Sequence, residues 1–348
     1  MRRSRTARLA MGGVLVGALL AGLGSTQATA APAPDPVWRA ATAAPFTVVV
    51  LPDTQFYTRD YPATYRAQTQ WVVNNRNALN VVFVAHEGDI VQGVGKHPHW
   101  IVADSAHDTL DAAGIPYAVV PGNHDQTRTG VAKLYDSYFP PSRFKNDPWY
   151  LGYLGDSKSG SAQGTGQDNV SDAGVDRLNK DSYQLVQASG VRLVFINLEM
   201  DMPAYSVAWA QRVIDAQMAV NSNTEFVLVT HTFLTSKGVR ANTPWWRADG
   251  TSAEKVWQTL VRPNCNVHLV LSGHYSAEKQ RTDNNACGEP VHQVLADYQK
   301  RPHGGDGWLR YLTFQPSANK IDVFTYSPTL GKFETDSNSR FSLTLAMP

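Results

Sequence analysis

The sequence predicts an α/β fold with a largely parallel, buried sheet. Two observations carry that expectation. Between residues 46 and 120 the chain reads strand, helix, strand, helix, strand, the signature of βαβ units. The strand segments are continuous β-branched runs rather than alternating ones, as expected of strands covered on both faces. Composition agrees: 43% hydrophobic and 18% charged residues over 348 positions are globular values that exclude a disordered chain.

The elements follow in order. Phe46–Leu51 (FTVVVL) is a buried strand that runs into Pro52-Asp53. A helix is expected from Pro62 to Leu79, because proline suits the first helical turn. Val81–Ala85 is the second strand and ends at Gly88-Asp89. Trp100, Ala103, Ala106 and Leu110 recur at helical spacing, and Gly114 suits the left-handed stop. Ile115–Val120 is the third strand, broken by Pro121-Gly122-Asn123. Residues 126–181 show no strong period and are rich in Tyr, Phe and Trp before a Gly/Ser-rich stretch; a segment this long reads as an insert or lid. Strands are then expected at 191–197, 225–230 and 267–272, with helices near 206–220 and 253–261. The alternating segments 291–298, 308–314 and 321–326 read as antiparallel strands.

Arg2, Arg3, Arg5 and Arg8 precede an apolar stretch and Ala28-Thr29-Ala30, the pattern of a secretory signal peptide over residues 1–30. The apolar run is interrupted by glycines and is too short to span a bilayer, so no membrane span is expected after cleavage near Ala30. Cleavage removes four arginines and no acid, leaving a mildly acidic, extracellular chain. Residues 31–45, mostly Ala and Pro, form a leader. The formal charge of +1 excludes polyanion binding by bulk charge, and no nucleic-acid-binding module is evident. Two cysteines exclude a multi-Cys zinc cluster. In an exported chain Cys265 and Cys287 are the one available disulfide pair, the alternative being two buried thiols.

Five apolar runs end in ligand-type residues: Asp53, Asp89, Asn123-His124, His231 and His274. In open α/β sheets, ligands bind outside the carboxyl ends of the strands. One polar residue there is an ordinary strand cap, but five together point to a metal site. Carboxylate and amide oxygens suit Mg²⁺ or Mn²⁺, and imidazoles admit Zn²⁺ or Fe.

Asp53-Thr54-Gln55, Gly88-Asp89, Gly122-Asn123-His124-Asp125, His231 and Gly273-His274 resemble the five ordered motifs of the calcineurin-like metallophosphoesterase superfamily, across residues 46–280. The resemblance implies a four-layer α/β/β/α sandwich with mixed central sheets, occupying 46–330 with the insert at 126–181 and a C-terminal tail at 331–348. It implies a hydrolase of phosphate mono- or diesters, small or polymer-linked, that acts through a metal-bound hydroxide. One divalent ion is expected on Asp89, Asn123, His231 and His274. His124 is expected beside the leaving group, with Asp125 orienting its ring. The other ion's usual set is incomplete here: Asp53 is present, but Gln55 and Ser276 stand where the pattern has histidines. That position should be weaker and richer in oxygen, with Gln92 and His292 as substitute ligands. The ions' identity (Mn, Fe, Zn or Mg) stays open.

Around this set, Glu87 is placed for a supporting hydrogen bond, whereas His86 alternates away and reads as structural. Arg240 and Arg247, flanking Trp245 and Trp246, read as a phosphate clamp beside aromatic walls. The aromatic insert is the candidate for substrate selection. The competing expectation is a non-catalytic metal- or phosphate-binding protein on a degenerate scaffold, motivated by Gln55 and Ser276.

Overall fold

The structure, a computed structural model, describes residues 44–155 and 176–347; the expected signal peptide, most of the leader and the Gly/Ser-rich part of the insert lie outside the described residues. The first half comprises β1 (Phe46–Leu51), α1 (Gln55–Asp60), α2 (Pro62–Asn75), β2 (Val81–His86), α3 (His97–Ala112), β3 (Tyr117–Val119), α4 (Lys133–Tyr138), α5 (Pro141–Phe144) and β4 (Tyr150–Tyr153). It continues with β5 (Ser182–Ala188), β6 (Val191–Leu198), α6 (Ala204–Val220), β7 (Thr224–Thr230), α7 (Ala253–Val256) and β8 (Val267–Ser272). The last part contains β9 (Glu278–Asn284), β10 (Pro290–Ala296), α8 (Pro302–Gly305), β11 (Leu309–Gln315), β12 (Lys320–Ser327), β13 (Lys332–Glu334) and β14 (Phe341–Thr344).

Two seven-stranded mixed sheets form. The first runs β13-β12-β11-β1-β2-β3, with β14 also on β12; the second runs β4-β5-β6-β7-β8-β10-β9. The pleat sorts the apolar runs into three interiors. Val48 and Val50 of β1 join Phe83, Phe195, Val227 and Leu271 between the sheets. Their neighbours Val49 and Leu51 face outward onto Tyr65 and Val72 of α2 and Trp100 and Leu110 of α3. On the opposite outer face, Val194 and Leu228 meet Trp209 and Val213 of α6 and Trp257. The result is the expected four-layer α/β/β/α sandwich. Phe83 and Phe195 stack at 4.0 Å where the sheets meet, a pair worth about 1 kcal/mol beyond its buried area.

Helix punctuation follows the sequence. Pro62 occupies the first turn of α2, and Gly114 takes a left-handed φ of +58° just past α3. Elsewhere the structure departs from the reading. The segment expected as a tail supplies β13 and β14, which pair with β12. The 291–298 strand is antiparallel to β9 but parallel to β8, so its carboxyl end lies on the same edge as that of β8. β9 itself (EKQRTDN) escapes the pattern reading, because it is a charged edge strand without an apolar run. In the insert, Tyr135, Phe139, Phe144 and Trp149 are buried against α3 and the first sheet, which makes the described part of that segment a cover for the core.

Candidate metal centre

The parallel strands bring the ligand-type residues together from both sheets. Asp53, Asp89 and Asn123 leave β1, β2 and β3; His231 and His274 leave β7 and β8. Close approach requires glycine at defined points. Gly88 has φ +96°, and a Cβ there would lie 2.7 Å from Nδ1 of His231. Side chains at Gly122 and Gly273 would run into the carboxylates of Asp89 and Asp53. Asp89 and His274 themselves adopt positive φ, 49° and 69°, a conformation that non-glycine residues hold only where the surroundings enforce it.

Asp89, His231 and His274 offer ligand atoms that lie within 4.8 Å of one another. Nδ1 of His231 donates to the Glu87 carbonyl at 2.8 Å, which leaves Nε2 with its lone pair facing the centre. That nitrogen stands 3.4 Å from Asp89 Oδ1, 3.9 Å from Asp53 Oδ1 and 3.2 Å from Nδ1 of His274. Asp53 is fixed by the His274 amide, at 3.3 and 3.2 Å from its two oxygens. Oδ1 of Asn123 is buried with no partner, and so is Oε1 of Gln55.

This donor set fits a divalent cation. The Asp89 carboxylate and the His231 and His274 rings converge, Asp53 Oδ1 lies 3.9 Å from His231 Nε2, and the unpartnered amide oxygen of Asn123 is on the adjoining loop after β3; a positive charge would satisfy such groups. The buried carboxylates hold a proton on His231 that a bound cation would displace. Burial lifts Asp53 well above the usual carboxylate range, and Asp297 adds to the rise. Burial pulls His231 down, yet Asp89 and Asp53 outweigh it and push the ring up to about 10. Burial and the neighbouring His231 push His274 down to about 3.

His124 is joined to the centre through its backbone, whose N–H donates to Asp89 Oδ1 at 2.9 Å. Its ring Nδ1 donates to the Gln92 carbonyl at 2.9 Å, so Nε2 is the nitrogen left for a substrate. The side-chain Nε2 of Gln92 lies 3.4 Å from the same ring nitrogen, and its Oε1 is buried without a partner. Asp125 does not orient the ring as expected. It is fully buried and accepts from the amides of Gly122, Ile90 and Val91 at 2.8, 3.0 and 3.0 Å, stitching the loop after β3 to the loop after β2. His86 is structural as expected, bonded to Thr54 and to the Gly88 amide. Glu87 supports His231 through its backbone carbonyl, while its own Oε2 is buried without a partner.

The remaining expected site residues go elsewhere. Both ring nitrogens of His292 are taken, by Thr282 and the Thr344 carbonyl, at 2.8 Å each. Arg240 is held by Glu254 and Asp283, each at 2.6 Å, and lies over Trp257. Arg247 is held by Glu199 and Asp249, each at 2.7 Å. Buried guanidiniums saturated by acids are struts, not a phosphate clamp. The tryptophans do border the centre: Trp245 is 48% exposed, stacks on Trp246, and its ring lies 4.6 Å from that of His274. Cys265 and Cys287 form a disulfide, with Cα atoms 5.7 Å apart.

Sequence reasoning missed Asp297. It follows the apolar end of β10 and is only 2% exposed. The signal was present, an apolar run closing on an aspartate, but reading that strand as purely antiparallel put it on the wrong edge.

The family model for calcineurin-like phosphoesterases matches residues 46–276. An uncharacterized protein of Bacillus subtilis (strain 168), YvnB, is 31% identical over 313 residues, covering 86% of this chain. The chain spans only 22% of that relative's length. Among solved structures, purple acid phosphatase PPD1 from yellow lupin (Lupinus luteus) is similar with a TM-score of 0.50 at 12% identity, covering 90% of this chain and 55% of that one. TT1561 of Thermus thermophilus is similar with a TM-score of 0.40 at 11% identity, covering 84% and 98% respectively. With the family match running from β1 past His274, through the strand ends that carry Asp53, Asp89, Asn123, His231 and His274, the chain belongs to the calcineurin-like phosphoesterase family.

Proposed function

We propose that this chain is an exported, metal-dependent hydrolase of phosphate esters that acts on diesters in preference to monoesters. The observation that carries the reading is the meeting of Asp89, His231 and His274 at two sheet edges, with Asn123 Oδ1 buried and unpartnered on the adjoining loop after β3. When bound, a divalent cation in this position supplies Lewis acidity, acidifying water and drawing charge off phosphoryl oxygens.

The chain's own residues do the rest. Glu87, through its carbonyl, holds the His231 ring in the tautomer that presents Nε2. Gln92, through its carbonyl, accepts from Nδ1 of His124 and so aims Nε2 outward; in the imidazolium form that Nε2–H gives its proton to the departing oxygen and leaves the neutral ring. Trp245 packs on the His274 ring and stacks on Trp246, an aromatic wall on that side of the centre. The preference for diesters rests on charge: the two arginines expected to neutralise a monoester's second negative charge are both committed to carboxylates. Export is supported by the Cys265–Cys287 disulfide and the arginine-led apolar N-terminus.

The test is a paired set of aryl phosphate mono- and diesters assayed with added Mn²⁺, on wild type, Asp89→Asn and His124→Ala. Diester turnover that is lost in both variants is the expected result. Gln55 and Ser276 motivate a second reading, a binding protein on the same scaffold; folded, metal-loaded protein that is inert on every ester establishes that one instead. The amino terminus of protein recovered from culture medium tests export.

A further inference from the structure

We propose that Trp245 determines specificity: its exposed ring is a stacking platform for a flat-faced ring, a nucleobase or a sugar, carried by the phosphate ester. The proposal rests on the hydrolase reading above and names the kind of ester that reading leaves open.

Exposure alone says little, because single apolar side chains at a surface are common. The position of Trp245 is what counts. It is 48% exposed, and its ring centroid lies 4.6 Å from that of His274 with the planes tilted by 59°, so the two rings meet without stacking. A group bound at His274 therefore has a half-exposed indole beside it. Tyr275 meets His274 edge-on, also at 4.6 Å, and adds a second aromatic border.

The indole is held from behind. Trp246 stacks on it, with centroids 5.7 Å apart and planes within 19° of one another. Trp246 is itself anchored: its Nε1 donates to the Gln126 carbonyl at 3.0 Å, its backbone N–H donates to the Asp201 carboxylate, and the Arg128 guanidinium lies 5.0 Å from its ring centre. The Arg247 amide reaches the same carboxylate at 3.3 Å, and Asp201 is nearly inaccessible. Gln126 is buried on the loop after β3, just beyond His124. The tryptophan pair thus ties the His274 side of the centre to the loop that carries the proton donor.

An indole fixed in this way suits recognition of a ring. It offers a large apolar face with few rotatable bonds, and its backing leaves little ordering to be done on binding. A nucleobase stacks on that face through its π system, and a sugar lays a face of C–H groups against it. Both need a flat face, so an ester of a linear alcohol forfeits the contact.

The experiment uses the full chain loaded with Mn²⁺ and the methyl phosphodiesters of thymidine, glucose and glycerol, with products followed by phosphorus magnetic resonance. Wild type is expected to favour a ring-bearing ester over the glycerol ester by about tenfold, the scale of one aromatic stack, through KM rather than kcat. The favoured ring, thymidine or glucose, identifies its source. Trp245→Ala should erase the preference, and Trp245→Phe, which keeps a flat face, should retain most of it. A role limited to packing His274 would instead weaken Mn²⁺ and slow all three esters alike. That result, or a wild type without ring preference, overturns the proposal. If wild type hydrolyses none of the esters, the hydrolase reading fails by itself and calorimetry decides the platform. Thymidine or glucose monophosphate binding about tenfold tighter than glycerol phosphate, in wild type but not in Trp245→Ala, upholds it; equal binding overturns it.

Discussion

The backbone N–H of His124 donates to Oδ1 of Asp89 over 2.9 Å, which ties the loop after β3 to the carboxylate that lies against His231. The His124 ring is fixed separately, through Nδ1, on the Gln92 carbonyl. Removing the ring should therefore spare the metal. His124→Ala is expected to lower kcat by about 10²–10⁴, the usual range for a general acid, with metal content unchanged. The loss should be greater for poor leaving groups. Steady-state kinetics beside elemental analysis checks this; equal losses across leaving groups would remove the proton-donor role.

In the proposed centre Asn123 belongs to the intact half and Gln55 to the altered half. Asn123→Ala should weaken the first ion more than Gln55→Ala does, as read by metal titration. A ligand that binds only the folded state stabilises it by about 2.7 kcal/mol at a hundredfold excess over Kd. Chelation should accordingly lower the melting temperature of wild type more than that of Asn123→Ala. The reverse order of affinities would exchange the two assignments.

Gly122 lets the loop after β3 lie against Asp89, and a methyl group there meets both the Asp89 carboxylate and its amide. Gly122→Ala should cost about 1–3 kcal/mol of stability, as overpacking does, and lower metal affinity at least tenfold. Gly95→Ala, where a Cβ meets nothing within 4 Å, is the control and should stay within about 0.5 kcal/mol of wild type. Chemical denaturation compares them.

The Cys265–Cys287 bridge joins the loop before β8 to the turn between β9 and β10, 22 residues apart. It supports the edge that carries His274 and Asp297. Replacing both cysteines by serine should cost about 3 kcal/mol, and reductant should lower the melting temperature of wild type alone. Identical melting with and without reductant would show that the bridge does not form in solution.

His107 lies among Tyr65, Tyr117 and Phe139, and its Nδ1 donates to the Ala103 carbonyl at 3.0 Å. Burial, reinforced by Arg143, pushes its ring from 6.5 down to about 3. Between those values the unfolded chain takes up a proton that the folded chain refuses. Stability therefore falls as pH drops below 6.5, by about 1.4 kcal/mol per pH unit from this residue. Burial holds His86 well below its ordinary value too, which adds loss in the same direction. His107→Phe should flatten the dependence between pH 7 and 5 by roughly one proton's slope. Urea unfolding across that window gives the answer, and parallel curves for the two proteins would refute it.

The strands are legible from the amino acids alone, because continuous β-branched runs bury both faces and leave little choice of element. So are the residues that close those runs, and hence Asp53, Asp89, Asn123, His231 and His274 as a set. Where side chains find their partners is settled instead by the assembled fold. Arg240 and Arg247 sit beside tryptophans in the sequence, yet carboxylates claim both, some of them distant along the chain. Asp125 follows His124 but serves three backbone amides instead of the ring. Asp297 lies on the edge that carries His274 because β10 pairs parallel to β8, and strand direction is set by the whole sheet rather than by any local pattern. Local periodicity fixes an element and its buried face. Ion pairing and strand order depend on contacts between residues far apart in the chain, which one-dimensional spacing does not encode.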